Sequence, residues 1–211
     1  MNYNDGAKLA IENASALLDV AASAAKMDHF GIASSLTILS AEKSIKALVC
    51  IKKAFFPSVE IEDFELVFKD HKIKHKHIID GLDFTQKMIK QTINVVPLIQ
   101  EYIEEIGNES EENNPGISKQ LQDILAYMKI ISLNPRSFAG NEIAAWWKNA
   151  NKEKNNGLYV GKNEPNWHDP SLTTKEFYLE GKKYAKMLNE HITFFFGLQV
   201  MFSIIGIEIK L

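Results

Sequence analysis

The sequence predicts an all-α protein, and three observations carry that expectation. Apolar residues recur at three- and four-residue steps over most of the chain, the period of one helix face. Strand-like character is confined to one short piece, Leu158-Tyr159-Val160. Most of the breakers (Pro57, Asn134-Pro135, Pro165 and Pro170) fall between the periodic stretches, as expected of residues that end helices.

The first helix is expected over Gly6 to Met27. Its stripe of Leu9, Ala10, Ala14, Leu17, Leu18, Ala21 and Ala25 is rich in alanine, so a neighbouring helix can approach closely. Asp28-His29-Phe30-Gly31 interrupts it. A second helix follows from about Ile32 to Phe56 and stops before Pro57. Two long helices with a short break form an antiparallel hairpin. Residues 57–68 form an acidic connection. A third helix is expected from near Asp70 to about Ile106, kinked or divided at Pro97. Asn108 to Gly116 reads as a polar surface loop, and a further helix covers about Ile117 to Ile131. Trp146 and Trp147 sit on a short helical stretch. Asn155-Asn156-Gly157 is a turn signal, so a short irregular or extended insertion is expected near 152–170. Thr173, with Glu176 three residues on, reads as the N-cap of a last helix. The whole is expected to be one helical domain over residues 1–211, with a core over about 7–170 and a C-terminal helix over 173–207.

The 24 basic and 27 acidic residues leave a net charge of -3, which excludes a generic basic coat for nucleic acid. Only one basic residue, Arg136, is arginine. The lone cysteine, Cys50, allows no internal disulfide, and its apolar flanks mark it as packing. The polar start, Met1 to Asp5, has no signal-like apolar run, and a reducing cytoplasm is the expected location. Neither a glycine-rich phosphate loop nor a GxSxG elbow occurs, and no cofactor is expected. The apolar run Ile192 to Ile207 spans roughly 24 Å as a helix, short of a ~30 Å hydrocarbon core. It is expected to be a buried or dimer-interface helix rather than a membrane anchor. Together with the alanine-rich first helix it offers apolar faces for a homodimer.

Chemistry concentrates in Lys69-Asp70-His71-Lys72-Ile73-Lys74-His75-Lys76-His77, which holds three of the six histidines. On a helix, His71, Lys74 and His75 share one face. The cluster reads as a solvated basic helix start, as a site for an anionic or phosphodiester ligand, or, less favourably, as a metal site on His71 and His75. The phosphodiester reading uses a histidine to move protons near neutral pH and lysines to hold phosphate charge. The metal reading lacks a third ligand and the HExxH glutamate, so no metal is expected. Glu42 and Lys46 form an i, i+4 pair inside an apolar stretch, and so pair with each other or face a cleft near His71.

The ordered set of motifs resembles the AbiV-type abortive infection family of bacterial antiphage proteins, a branch of the HEPN superfamily. The motifs are Asn13 to Leu18, Ala33 to Ala47 with Glu42 and Lys46, Phe68 to Lys74, Lys154 to Val160, then Trp167 and Pro170. The resemblance spans about residues 7–170. It implies a HEPN-like helical bundle, a homodimer, a cytoplasmic role in phage defence and, in many relatives, metal-independent endoribonuclease activity. The usual ribonuclease signature is Arg, four to six residues, then His. From Arg136 the histidine would fall at Asn141, Glu142 or Ile143, so that signature is absent. A ribonuclease would have to use His71 as general acid or base, with His75 as its substitute. Lys72 and Lys74 would stabilise the phosphate charge. Glu42, Lys46, Asp70, Lys154 and Tyr159 are the supporting candidates, with Tyr159 stacking on a base or donating a hydrogen bond. The alternative is a non-catalytic helical module that binds RNA or a phage-encoded protein, the latter also being a candidate trigger.

Overall fold

The computed structural model describes residues 2–74, 76–77, 141–163 and 166–205, together with positions 97, 101 and 126. Most of the expected third helix, including the residues on either side of Pro97, the 108–116 loop, all but one residue of the 117–131 helix, Arg136 and His75 lie outside these residues. The described chain is all-α, with one two-stranded hairpin.

Helix α1 (Tyr3–Lys26) begins at Asn2, whose side chain caps the backbone N–H of Asn4 at 3.1 Å. Helix α2 (Phe30–Phe55) follows after only Met27, Asp28 and His29. Asp28 takes the left-handed conformation (φ 60°) that turns the chain back, one that aspartate tolerates better than most residues. The break is thus shorter than the sequence suggests. Ala7, Ala14 and Ala21, seven residues apart, are all fully buried, and α1 lies along α2 through them. Ser40 Oγ donates to the Ala14 carbonyl across this seam at 2.7 Å.

Sixteen of the 26 residues of α2 are buried, so α2 is the central element, with other helices packed around it. Its buried Thr37 and Ser44 lie within reach of carbonyls one turn back, which satisfies small polar groups within the helix. Cys50 is buried on another side of the same helix, and burial pushes its thiol pKa up, as packing rather than reactivity requires. A short helix α3 (Phe64–Val67) and a helical segment at residues 71–74 and 76–77 follow.

Helix α4 (Asn141–Leu158) packs on α2 and carries the Trp146–Trp147 pair, edge to face at 4.7 Å. Strands β1 (Gly161–Asn163) and β2 (Asn166–His168) then pair antiparallel, Lys162 opposite Trp167. The Asn155-Asn156-Gly157 turn expected from the sequence does not form. Those residues continue α4 to Leu158, and the extended piece starts at Gly161, not Leu158. The reason is tertiary. Gly157 lies against the backbone of Gly31 and the hydroxyl of Ser35, where a Cβ would overlap both. Ser35 Oγ also lies 2.8 Å from the Lys154 carbonyl. This close crossing holds the last turn of α4 helical.

A 3-10 turn (Pro170–Leu172) leads to α5 (Lys175–Ile205). Its N-terminal capping residue is Thr174, whose Oγ1 accepts from the Phe177 N–H at 3.2 Å, rather than Thr173. Thr173 ends the 3-10 turn. The C-terminal apolar run forms the second half of α5. Ile192, Phe195, Leu198 and Phe202 are almost wholly buried in the main core with Ile38, Ile45 and Leu48 of α2. The alanine face of α1 and the aromatic face of α5 are therefore both occupied within the chain. Among the described residues, no helix is long and apolar enough to cross a membrane.

Candidate functional site

The packing just described brings three separated pieces of sequence to one point. α2 contributes Glu42, the turn and helical segment after Phe68 contribute His71 and Lys74, and α4 contributes Lys154. Asp70 starts the helical segment as its N-cap, its Oδ1 accepting from the Lys72 N–H at 2.7 Å. Lys46 Nζ donates to the Phe68 carbonyl at 3.1 Å and lies over the Phe68 ring, fixing the approach to His71.

Glu42 is 2 % exposed and lies at the centre of the cluster. Its Oε1 accepts from Lys154 Nζ at 3.0 Å. Its Oε2 lies 2.5 Å from His71 Nδ1 and 3.8 Å from Lys74 Nζ. Lys154 Nζ is also 2.9 Å from His71 Nδ1. A lysine ammonium only donates, and an ionised carboxylate only accepts. The arrangement that serves the buried carboxylate puts a proton on Nδ1, donated to Glu42 Oε2, while Lys154 donates to Oε1; the Lys154–His71 approach is then a contact between two donors that share one carboxylate, not a hydrogen bond. His71 Nε2 is then left for the open side of the ring, and the side chain is 47 % exposed. A carboxylate that fixes one ring nitrogen and leaves the other for chemistry is the arrangement general acid–base catalysis requires.

Lys69, Lys72, Lys74 and Lys154 outnumber the two carboxylates of the site, Glu42 and Asp70. Burial holds the Lys74 pKa below the usual lysine value; Glu42 opposes that shift, while Lys154 and Lys43 reinforce it. Burial also lowers the Lys46 pKa, with Lys43 and Lys74 adding to the effect. Surplus positive charge beside a half-open histidine favours an anion. A pocket of about 530 Å³ opens there, within the ~300–1,000 Å³ range of small-ligand sites. Its walls are Leu39 of α2, Lys69, Asp70, His71 and Lys72, then Asn151, Lys154, Asn155 and Leu158 of α4, with Tyr159 beyond the helix end.

Of the residues singled out in the sequence, Glu42, His71, Lys74 and Lys154 come together, and Asp70, Lys72 and Tyr159 line the pocket beside them. Lys74 is 3 % exposed, lies 3.8 Å from Glu42 Oε2 and is not among the residues that line the pocket. Lys46 likewise lies behind the site rather than in it. His75 lies outside the described residues. Sequence reasoning missed Asn151 and Asn155. Their signal was the spacing Asn151, Asn155, Leu158, a helical face hidden by reading Asn155-Asn156-Gly157 as a turn. Among the described residues, no group of three or more histidine, cysteine, aspartate or glutamate side chains is arranged to hold a metal.

The fold and site define an all-α protein whose central helix buries a carboxylate against a histidine and lysines at the floor of a pocket. The model of the family described as AbiV, HEPN_AbiV, matches residues 2–190. The chain therefore belongs to the AbiV family of the HEPN superfamily, associated with abortive-infection defence against phage. No curated protein and no solved structure matches it.

Proposed function

We propose that the chain is an RNA-cleaving effector of abortive infection and that His71 is its reacting side chain. The observation that supports this most is the Glu42–His71 contact at 2.5 Å beside a cation-walled pocket. In the proposed reaction, His71 Nε2 takes the proton of the attacking 2′-hydroxyl as its oxygen bonds to phosphorus. The bond to the 5′-oxygen breaks, and that oxygen leaves with a proton from water or from His71 in its protonated form. Lys72, Lys69 and Lys154 balance the charge gathering on the phosphoryl oxygens as point charges, there being no arginine among the described residues that line the pocket. A cytoplasmic homodimer activated by a phage-encoded protein belongs to the same proposal. Light scattering at micromolar concentration should give a dimer mass, and a monomer mass would remove that part.

The test is RNA cleavage by the purified full chain, with and without phage extract, beside His71→Ala. The variant should be at least ~100-fold slower, the lower range for a lost acid–base group, with little change in melting temperature. Equal cleavage by both proteins removes His71 from the mechanism. Absence of cleavage by either favours the non-catalytic module, whose mark is a phage protein or RNA retained by wild type and His71→Ala alike.

A further inference from the structure

The pocket has a second wall that the proposed chemistry does not use. Asn151, Asn155 and Leu158 lie on one face of α4, and Tyr159 follows them with its side chain 63 % exposed. Neither asparagine amide has a hydrogen-bond partner among the described residues. Each amide carries two donors and an acceptor, the set that reads a base edge. Tyr159 is seated where α4 ends, its N–H bonded to the Asn155 carbonyl at 2.9 Å, so its ring stands at the mouth beside Asn155. Across the pocket stand Lys69, His71 and Lys72.

We propose that this α4 wall is a nucleobase subsite that holds one unpaired nucleotide of single-stranded RNA. The phosphate lies against the cationic wall, and the base is read by Asn151 and Asn155 and stacked on Tyr159. A ligand with an anionic end and a planar, hydrogen-bonding end satisfies both walls, whereas inorganic phosphate engages only one. A paired base hides its hydrogen-bonding edge and its faces, so single-stranded RNA is the form that fits. This inference rests on the proposed function for its ligand, but it fails separately.

The experiment is an NMR titration of the full chain with the four nucleoside 5′-monophosphates and with ribose 5-phosphate at millimolar concentration. It is repeated with a single-stranded RNA tetranucleotide bearing 2′-O-methyl groups, which lacks the attacking hydroxyl. The nucleotides should bind about tenfold more tightly than ribose 5-phosphate, the size of one base stack. Tyr159→Ala should remove that gain for all four bases. Asn151→Ala and Asn155→Ala should reorder the four bases and leave ribose 5-phosphate affinity unchanged. The tetranucleotide should bind more tightly than any mononucleotide.

Equal affinities for the nucleotides and ribose 5-phosphate, an unchanged base order in both asparagine variants, or no binding at all would overturn the subsite. A tetranucleotide no tighter than a mononucleotide would overturn its assignment to a strand. Base preference that persists while cleavage proves independent of His71 would remove the chemistry and leave the subsite. His71-dependent cleavage without base preference would do the reverse.

Discussion

At the scale of the residue, the site couples stability to function through Glu42 and separates them at His71. Glu42→Gln leaves Lys154 and Lys74 buried without their carboxylate, and breaking a buried pair in this way costs ~3–5 kcal/mol. Denaturant unfolding should show that loss. The double variant Glu42→Gln/Lys154→Met should be more stable than Glu42→Gln alone, because it removes the stranded charge as well. His71→Ala, at a half-exposed position, should cost under about 1 kcal/mol. A His71→Ala loss as large as that of Glu42→Gln would mean that His71 is structural. Glu42 and His71 were legible because charge inside an apolar helix and a histidine-rich helix start both stand out against their surroundings. The role of Lys74 was not, because spacing gives a face and not a depth. On its helix it shares a side with His71 but lies under it.

At the scale of the element, the site depends on how closely α4 crosses α2. Gly31 and Gly157 meet backbone to backbone, and an added methyl at Gly157 would overlap the Gly31 carbonyl and Ser35. Gly157→Ala should therefore lower stability by ~1–3 kcal/mol, the usual cost of overpacking, and shift Lys154 away from Glu42. Chemical shifts of the His71 ring should move in this variant. Unchanged stability and an unchanged His71 environment would show that the crossing is looser than described. This contact also explains why the end of α4 was misread. Asn-Asn-Gly has strong local turn preference, and here a tertiary contact overrides it. The residues lost to that misreading were Asn151 and Asn155, whose relation to the pocket exists only if the helix continues. The hairpin of α1 and α2 was legible throughout, because alanine spacing states both the helix and its closeness to a neighbour.

At the scale of the whole molecule, α5 closes the core and adds a pH dependence. His191 is buried on α5 with its Nδ1–H donated to the Met187 carbonyl, and burial lowers its pKa from 6.5 to about 4. The unfolded chain takes up this proton near pH 6.5, while the folded chain does so only near pH 4. Acidification through that window therefore favours unfolding, by an amount on the order of 3 kcal/mol. Stability measured from pH 7 to pH 4 should fall more steeply in the wild type than in His191→Gln, and parallel curves would contradict this. Phe195→Ala, at a side chain 1 % exposed in the same helix, should cost ~3–5 kcal/mol in chemical denaturation.

The family follows from nearly the whole length of the chain, whereas the chemistry follows from a few atoms around Glu42. Those atoms can be tested by replacing the imidazole itself. RNA cleavage by His71→Gly should be lost, and added imidazole should restore part of it by occupying the vacated space beside Glu42. Cleavage by His71→Gly at the wild-type rate without imidazole would contradict the account.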